Sequence, residues 1–199
     1  MNQTAKQKSL CWTPDQLPPN VRLGSKSVIT GNYLPGDHPF KRFRSRLDPA
    51  IAIGTGCTLN GVYFNMGEEA RIEIGNYCHL TETFLLSELE LRIGNYVVIG
   101  WHTTVTDADF HPVGPDDRIL DAIACSPLAN GQPRIAFARK PVVIEDNVLI
   151  GPNATILKGV RIGEGAFIEP GSVVVRDVPP RTRVLGNPAQ VMGTYESRC

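Results

Sequence analysis

An aliphatic residue recurs every six positions along "VIEDNVLIGPNATILKGVRIGEGAFIEPGSVVVRD", at Ile144, Ile150, Ile156, Ile162, Ile168 and Val174. The same spacing links Ile93, Ile99 and Val105, then Ile74, Leu80 and Leu86, and Ile53 with Leu59. Glycine follows the aliphatic at 54, 75, 94, 100, 151 and 163. Four residues after it stands something small or aliphatic, such as Val97, Thr103, Ala154 or Ser172. A period of six fits neither a helix nor a simple strand alternation. It describes a short strand and a turn of roughly 120°, three to a coil, with the aliphatic pointing into a triangular prism. Coils of this kind stack through parallel backbone hydrogen bonds about 4.8 Å apart. One face registers as Ile53, Ile74, Ile93, Ile144 and Ile162, which predicts about five coils in one domain.

Composition narrows the function classes. The chain has 199 residues, 42% of them hydrophobic, enough for one core. Lys+Arg and Asp+Glu are both 20, a balance that argues against nucleic acid or an anionic membrane surface as the main partner. The N-terminal stretch "MNQTAKQKSLCWTPDQLPPN" is polar and broken by proline, and no apolar run reaches membrane-spanning length. Cys11, Cys57, Cys78, Cys125 and Cys199 are scattered with no CxxC pair, so reduced thiols and a cytoplasmic location are expected. Cys57 and Cys78 fall in the small corner slot and read as packing residues, while His79 and His102 fall at exterior positions.

The pattern stops in "VTDADFHPVG". One coil of eighteen residues beyond Ile93 lands on position 111, so His111 stands where the next inward aliphatic is due. The hexads resume only near Ile144. An excursion of that length in a compact domain is functional or disordered, and a short helical piece is predicted near 119–125. The single domain therefore divides into an irregular N-terminal cap (1–50), N-terminal coils (51–110), an inserted arm (111–141), C-terminal coils (142–178) and a tail (179–199). The residues alone leave His111 equally readable as a reactive base or as a satisfied histidine at a loop root.

The hexads from 144 to 178, followed by "VPPRTRVLGNPAQVM", resemble the C-terminal half of the hexapeptide-repeat acyltransferases. The resemblance spans about residues 51 to 192 and is closest to sugar O-acetyltransferases of the maltose, galactoside and exopolysaccharide type. It implies an all-β fold, a left-handed parallel β-helix, whose hand the hexad count alone does not supply. It also implies a homotrimer, acetyl-CoA as co-substrate in clefts between prisms, a saccharide acceptor and no metal. The arm is then expected to wrap the neighbouring subunit, and His111 is the matching position for the base.

Moving an acetyl group to a hydroxyl requires taking the hydroxyl proton, which a neutral imidazole does near pH 7. Asp109, in a corner slot otherwise given to small residues, is the candidate to orient it; the alternatives are a turn role shared with Asp107, or a backbone carbonyl on the second ring nitrogen. Matched positions imply cofactor contacts at Pro152, Pro170, Val175, Arg176 and Gln190, with Lys158, Arg161, Arg181 and Arg183 as substitutes for the 3′-phosphate partner. Glu82 and Trp101 are the candidates on the acceptor side, Trp101 by stacking on a sugar ring. Three rivals remain open. A zinc enzyme on the same prism needs converging histidines, and His79, His102 and His111 lack the spacing. An N-acetyltransferase of amino sugars or antibiotics would use a similar base. A structural hexapeptide protein would need neither the arm nor the histidine.

Overall fold

The computed structural model describes residues 11–12, 16–31, 38–129 and 131–194. Residues 1–10 of the expected cap and 195–199 of the expected tail, Cys199 included, lie outside them. Short strands of two to six residues build three sheets, each a ladder up one side of a prism, in a left-handed parallel β-helix.

The first face carries Ile51–Ile53, Arg71–Ile74, Glu90–Ile93, Val142–Ile144 and Arg161–Ile162. Its ladder pairs Ile53 with Ile74, Ile74 with Ile93, Ile93 with Ile144 and Ile144 with Ile162, the register expected from the hexads. The second face stacks Leu59, Leu80, Ile99, Ile150 and Ile168 in the same manner, all fully buried. Each inward aliphatic sits on its counterpart in the next coil, so one apolar column runs the length of the prism. Truncating a middle member such as Ile99 to Ala opens a cavity that two neighbouring coils cannot close, at a cost of roughly 2–5 kcal/mol.

Two differences from the sequence reading have local causes. On the third face the buried aliphatic of Phe84–Ser87 is Leu85, which pairs with Val105, and Leu86 faces outward. The turn Thr81–Glu82–Thr83 is one residue short of the regular hexad, and a one-residue slip reverses every side chain. The expected cap also holds a further coil: Val21–Leu23, Val28–Thr30 and Arg42–Phe43 pair in parallel with the coil above them.

The corners are fixed by side-chain ladders. Asn76 Oδ1 accepts the Thr55 N–H, Asn95 Oδ1 that of Asn76, and Asp146 Oδ1 that of Asn95, each at 2.8 Å. The Asn95 backbone N–H, and then its side-chain amide, hold the Asp146 carboxyl below its ordinary range. Gly94 stands at this corner because the chain above it is too close for a side chain: a Cβ would lie 2.8 Å from the Asp146 backbone nitrogen. Cys57 and Cys78 occupy the corner slot, both buried, and each thiol donates to a carbonyl of the coil above at 3.1 Å.

The arm carries the only helix among the described residues, α1, Pro115–Ala124. It starts four residues before the predicted piece, because Pro115 suits the first helical turn and Asp116 and Asp117 favour its positive N-terminal end. Among the described residues, no helix is long and apolar enough to cross a membrane.

Candidate active site

The prism delivers its candidate residues along two edges. Between the second and third faces, the turns of successive coils stack through backbone bonds. Glu82 O accepts from His102 N at 2.9 Å, Trp101 O from Asn153 N at 2.8 Å, and Pro152 O from Gly171 N at 2.9 Å. Glu82, Trp101, Pro152 and Pro170 therefore form one column. Trp101 is 54% exposed, and the half-buried Glu82 carboxylate lies 3.4 Å from His102 Nε2. Along the next edge, after the third face, come Asp109, Lys158, Val175 and Arg176. Gln190 is apart from both columns, on Ala189–Thr194 at the end of the second face.

His111 lies at the root of the arm, outside the prism; Ile144 fills the inward slot above Ile93. Its side chain is 63% exposed, so one edge of the ring meets solvent. Its other edge is held: Nδ1 is 2.7 Å from Asp121 Oδ2. An ionised carboxylate can only accept, so in the neutral ring Nδ1 carries the hydrogen and Nε2 the lone pair. Asp121 is the one buried residue of α1, 1% exposed. Arg134 and then His111 hold its carboxyl down to about 2, against the desolvation that opposes them. A residue ten positions after the histidine, on a helix, thus stands where Asp109 was expected.

Asp109 itself points elsewhere. Its Oδ1 pairs with Lys158 Nζ at 2.5 Å, and its backbone N–H donates to Ala138 O, pinning the arm's return to the prism. Asp107 is fully buried and closes the turn after Phe84–Ser87. It accepts from Ser87 Oγ at 2.6 Å and from the backbone N–H groups of Glu88, Leu89 and Glu90 at 2.7–2.9 Å.

Among the described residues, His111, Asp121 and Cys125 are the one group of three potential metal-ligand side chains, with donor atoms within 4.8 Å. A guanidinium, that of Arg134, already supplies positive charge there. Of the substitute basic residues, Lys158, Arg161 and Arg183 are paired with Asp109, Glu145 and Glu169; the fourth, Arg181, is exposed like Arg176, and neither makes any of the ion pairs found among the described residues.

Comparison with known proteins agrees with the hexads. Residues 141–176 match the family described as bacterial transferase hexapeptide (six repeats). The chain is 31% identical over 141 residues to a galactoside O-acetyltransferase of Lactococcus lactis, covering 70% of this chain and 60% of that protein. It is 58% identical over 52 residues to a 2,3,4,5-tetrahydropyridine-2,6-dicarboxylate N-acetyltransferase of Staphylococcus aureus, 26% of this chain and 22% of the relative. The chain thus spans less than two thirds of either relative. A solved hexapeptide-repeat acetyltransferase of Vibrio cholerae, complexed with acetyl coenzyme A, superposes with a TM-score of 0.55 at 26% identity, covering 88% of this chain and 72% of that one. The resemblance read from the repeat is borne out.

Proposed function

We propose, from a chain that carries the transferase hexapeptide repeat, that it moves an acetyl group from acetyl-CoA to a hydroxyl of a saccharide, with His111 as general base. The observation that carries this reading is the mounting of His111: Nδ1 on a buried carboxylate at 2.7 Å, with the ring open to solvent on its other edge. That arrangement presents Nε2 as an acceptor of the hydroxyl proton and stabilises the imidazolium that results. Asp121 takes the orienting role.

The edge of Trp101, Pro152 and Pro170 suits a long cofactor arm. Gly100 and Gly151 bear no Cβ there, and one would lie 2.8 Å from Pro152 N or 2.7 Å from Pro170 N, so the turns pack flush and leave a smooth track. Acetyl-CoA bound along it supplies the acyl thioester. Pro152 and Pro170 line the path on this edge, and Val175 and Arg176 stand on the next; Arg176 and Arg181 are exposed cations suited to its phosphates, and Gln190 is offered from beyond both edges. Glu82 and Trp101 on the same edge are offered to the sugar, by hydrogen bonding and stacking.

The base and the Glu82–Pro170 column stand on adjacent edges of one prism, which supports a site completed between copies of a homotrimer. The arm fits such an assembly: Ile119, Leu120 and Ile123 of α1 are 49–61% exposed, an apolar face with no core beneath it. The N-acetyltransferase relatives match over 52 to 61 residues, about a third of the chain or less, so they support the prism and the cofactor rather than a nitrogen acceptor.

The test is a screen of saccharide acceptors with acetyl-CoA, read by release of free thiol, on the wild type and His111→Ala. The variant keeps its fold, and transfer falls at least about 100-fold. Near-normal turnover in His111→Ala ends the general-base reading. Absence of thiol release with every hydroxyl acceptor, but release with amines, transfers the proposal to nitrogen.

A further inference from the structure

Arg134 has no part in the proton transfer as derived, yet it touches every piece of the base's mount. Its Nε donates to Asp121 Oδ1 at 3.0 Å and a terminal nitrogen to Asp121 Oδ2 at 2.9 Å, a two-pronged grip. The same terminal nitrogen donates to the Phe110 carbonyl at 2.6 Å and stands 3.3 Å from His111 Nδ1. Phe110, the residue before the base, has φ of 61°, a left-handed conformation that a bulky side chain resists, so something must hold it. The guanidinium also lies 5.4 Å from the centroid of the Phe137 ring, which meets the Phe110 ring at 6.3 Å.

We infer that Arg134 is a positioning residue for acyl transfer, locking the Phe110–His111 backbone to Asp121 and balancing the carboxylate's charge behind the base. This rests on the reading of His111 as that base. A bare buried carboxylate behind an imidazole favours the protonated ring and keeps the base occupied. With a guanidinium bridging both its oxygens and standing 3.3 Å from Nδ1, the carboxylate still accepts Nδ1–H, but its net field at the ring is cut. Lysine cannot substitute, because one compact ammonium does not grip both carboxylate oxygens and a carbonyl together. The charged and titratable groups around the ring are Asp121 and Cys125 from α1 and Arg134 from the arm's return, with Glu88 of the prism acting on Arg134.

The inference predicts opposite movements for two variants. Removing Arg134 leaves Asp121 uncompensated, so His111 should protonate more easily; removing the Asp121 charge leaves Arg134 alone, so it should protonate less easily. The experiment follows the His111 ring resonance by NMR against pH in the full chain, assigned by its loss in His111→Gln. Relative to wild type, the midpoint rises by about 0.5–1 pH unit in Arg134→Gln and falls by a similar amount in Asp121→Asn. Arg134→Lys gives a smaller rise, and free guanidinium at a non-denaturing concentration returns the Arg134→Ala midpoint towards wild type. A purely structural Arg134 would move neither midpoint in this paired fashion. Identical midpoints in wild type and Arg134→Gln, or shifts of the same sign in both variants, overturn the inference. Normal turnover in His111→Ala would instead end the base reading while leaving this titration informative.

Discussion

Asp107 and Asp121 are both buried aspartates beside the exit of the arm, and they are satisfied in opposite ways. Asp107, on the prism side, is closed by three backbone N–H groups and a serine hydroxyl. Asp121, on the arm, faces side chains: a guanidinium, an imidazole whose other edge meets solvent, and the Cys125 thiol at 4.0 Å. The first arrangement fixes a turn. The second makes a carboxylate part of a device, because what it holds can exchange protons with solvent. In the same few residues the molecule separates a group that serves folding from one that would serve the proposed proton transfer.

The comparison is broken most severely through Asp107. Asp107→Ala removes the acceptor of four hydrogen bonds in a buried turn, and a loss of stability on the order of 3–5 kcal/mol is expected in the denaturant midpoint. Asp121→Ala should move that midpoint far less, because Asp121 belongs to the arm and the prism column does not depend on the arm. Equal losses from the two variants would show that arm and prism unfold as one unit.

Acid provides a gentler test. The Asp121 carboxyl is held down to about 2, by Arg134 first and His111 second. A carboxyl with a depressed value contributes stability above its ordinary range, and that contribution is lost as the pH falls from about 4 towards 2. The amide resonances of α1 should therefore lose their helical positions across that window in the wild type. Asp121→Asn has no such carboxyl and should show no step there; a step retained in that variant would trace the change to another group.

The prism was legible because its period is tied to a single requirement, an inward aliphatic on every side of every coil. Legibility failed where a turn changed length. The short turn at Thr81–Glu82–Thr83 moved the buried position from Leu86 to Leu85. The coil that ends in Arg42–Phe43 escaped because residues 31–41 separate its second strand from its third and erase the hexad. The site was half legible. His111 is marked by the place where the repeat breaks, but Asp121 is not marked by any spacing. The amphipathic pattern of α1 even misdirects: Ile119, Leu120 and Ile123 look like the buried side, whereas they are exposed in the protomer and the aspartate between them is buried. Asp109 looked like the partner because it is near in sequence and irregular in its slot, but Lys158 of the next coil claims it.

The choice between those two aspartates is the central claim, and parallel turnover of Asp121→Asn and Asp109→Asn with acetyl-CoA and the same saccharide acceptor tests it directly. Asp121→Asn should lower transfer at least about tenfold, because it removes the carboxylate charge and lets an amide N–H face Nδ1, which favours the wrong His111 tautomer. Asp109→Asn, which loses a half-buried ion pair away from the ring, should stay within about threefold of wild type. The reverse order, with Asp109→Asn crippled and Asp121→Asn near normal, would contradict the account.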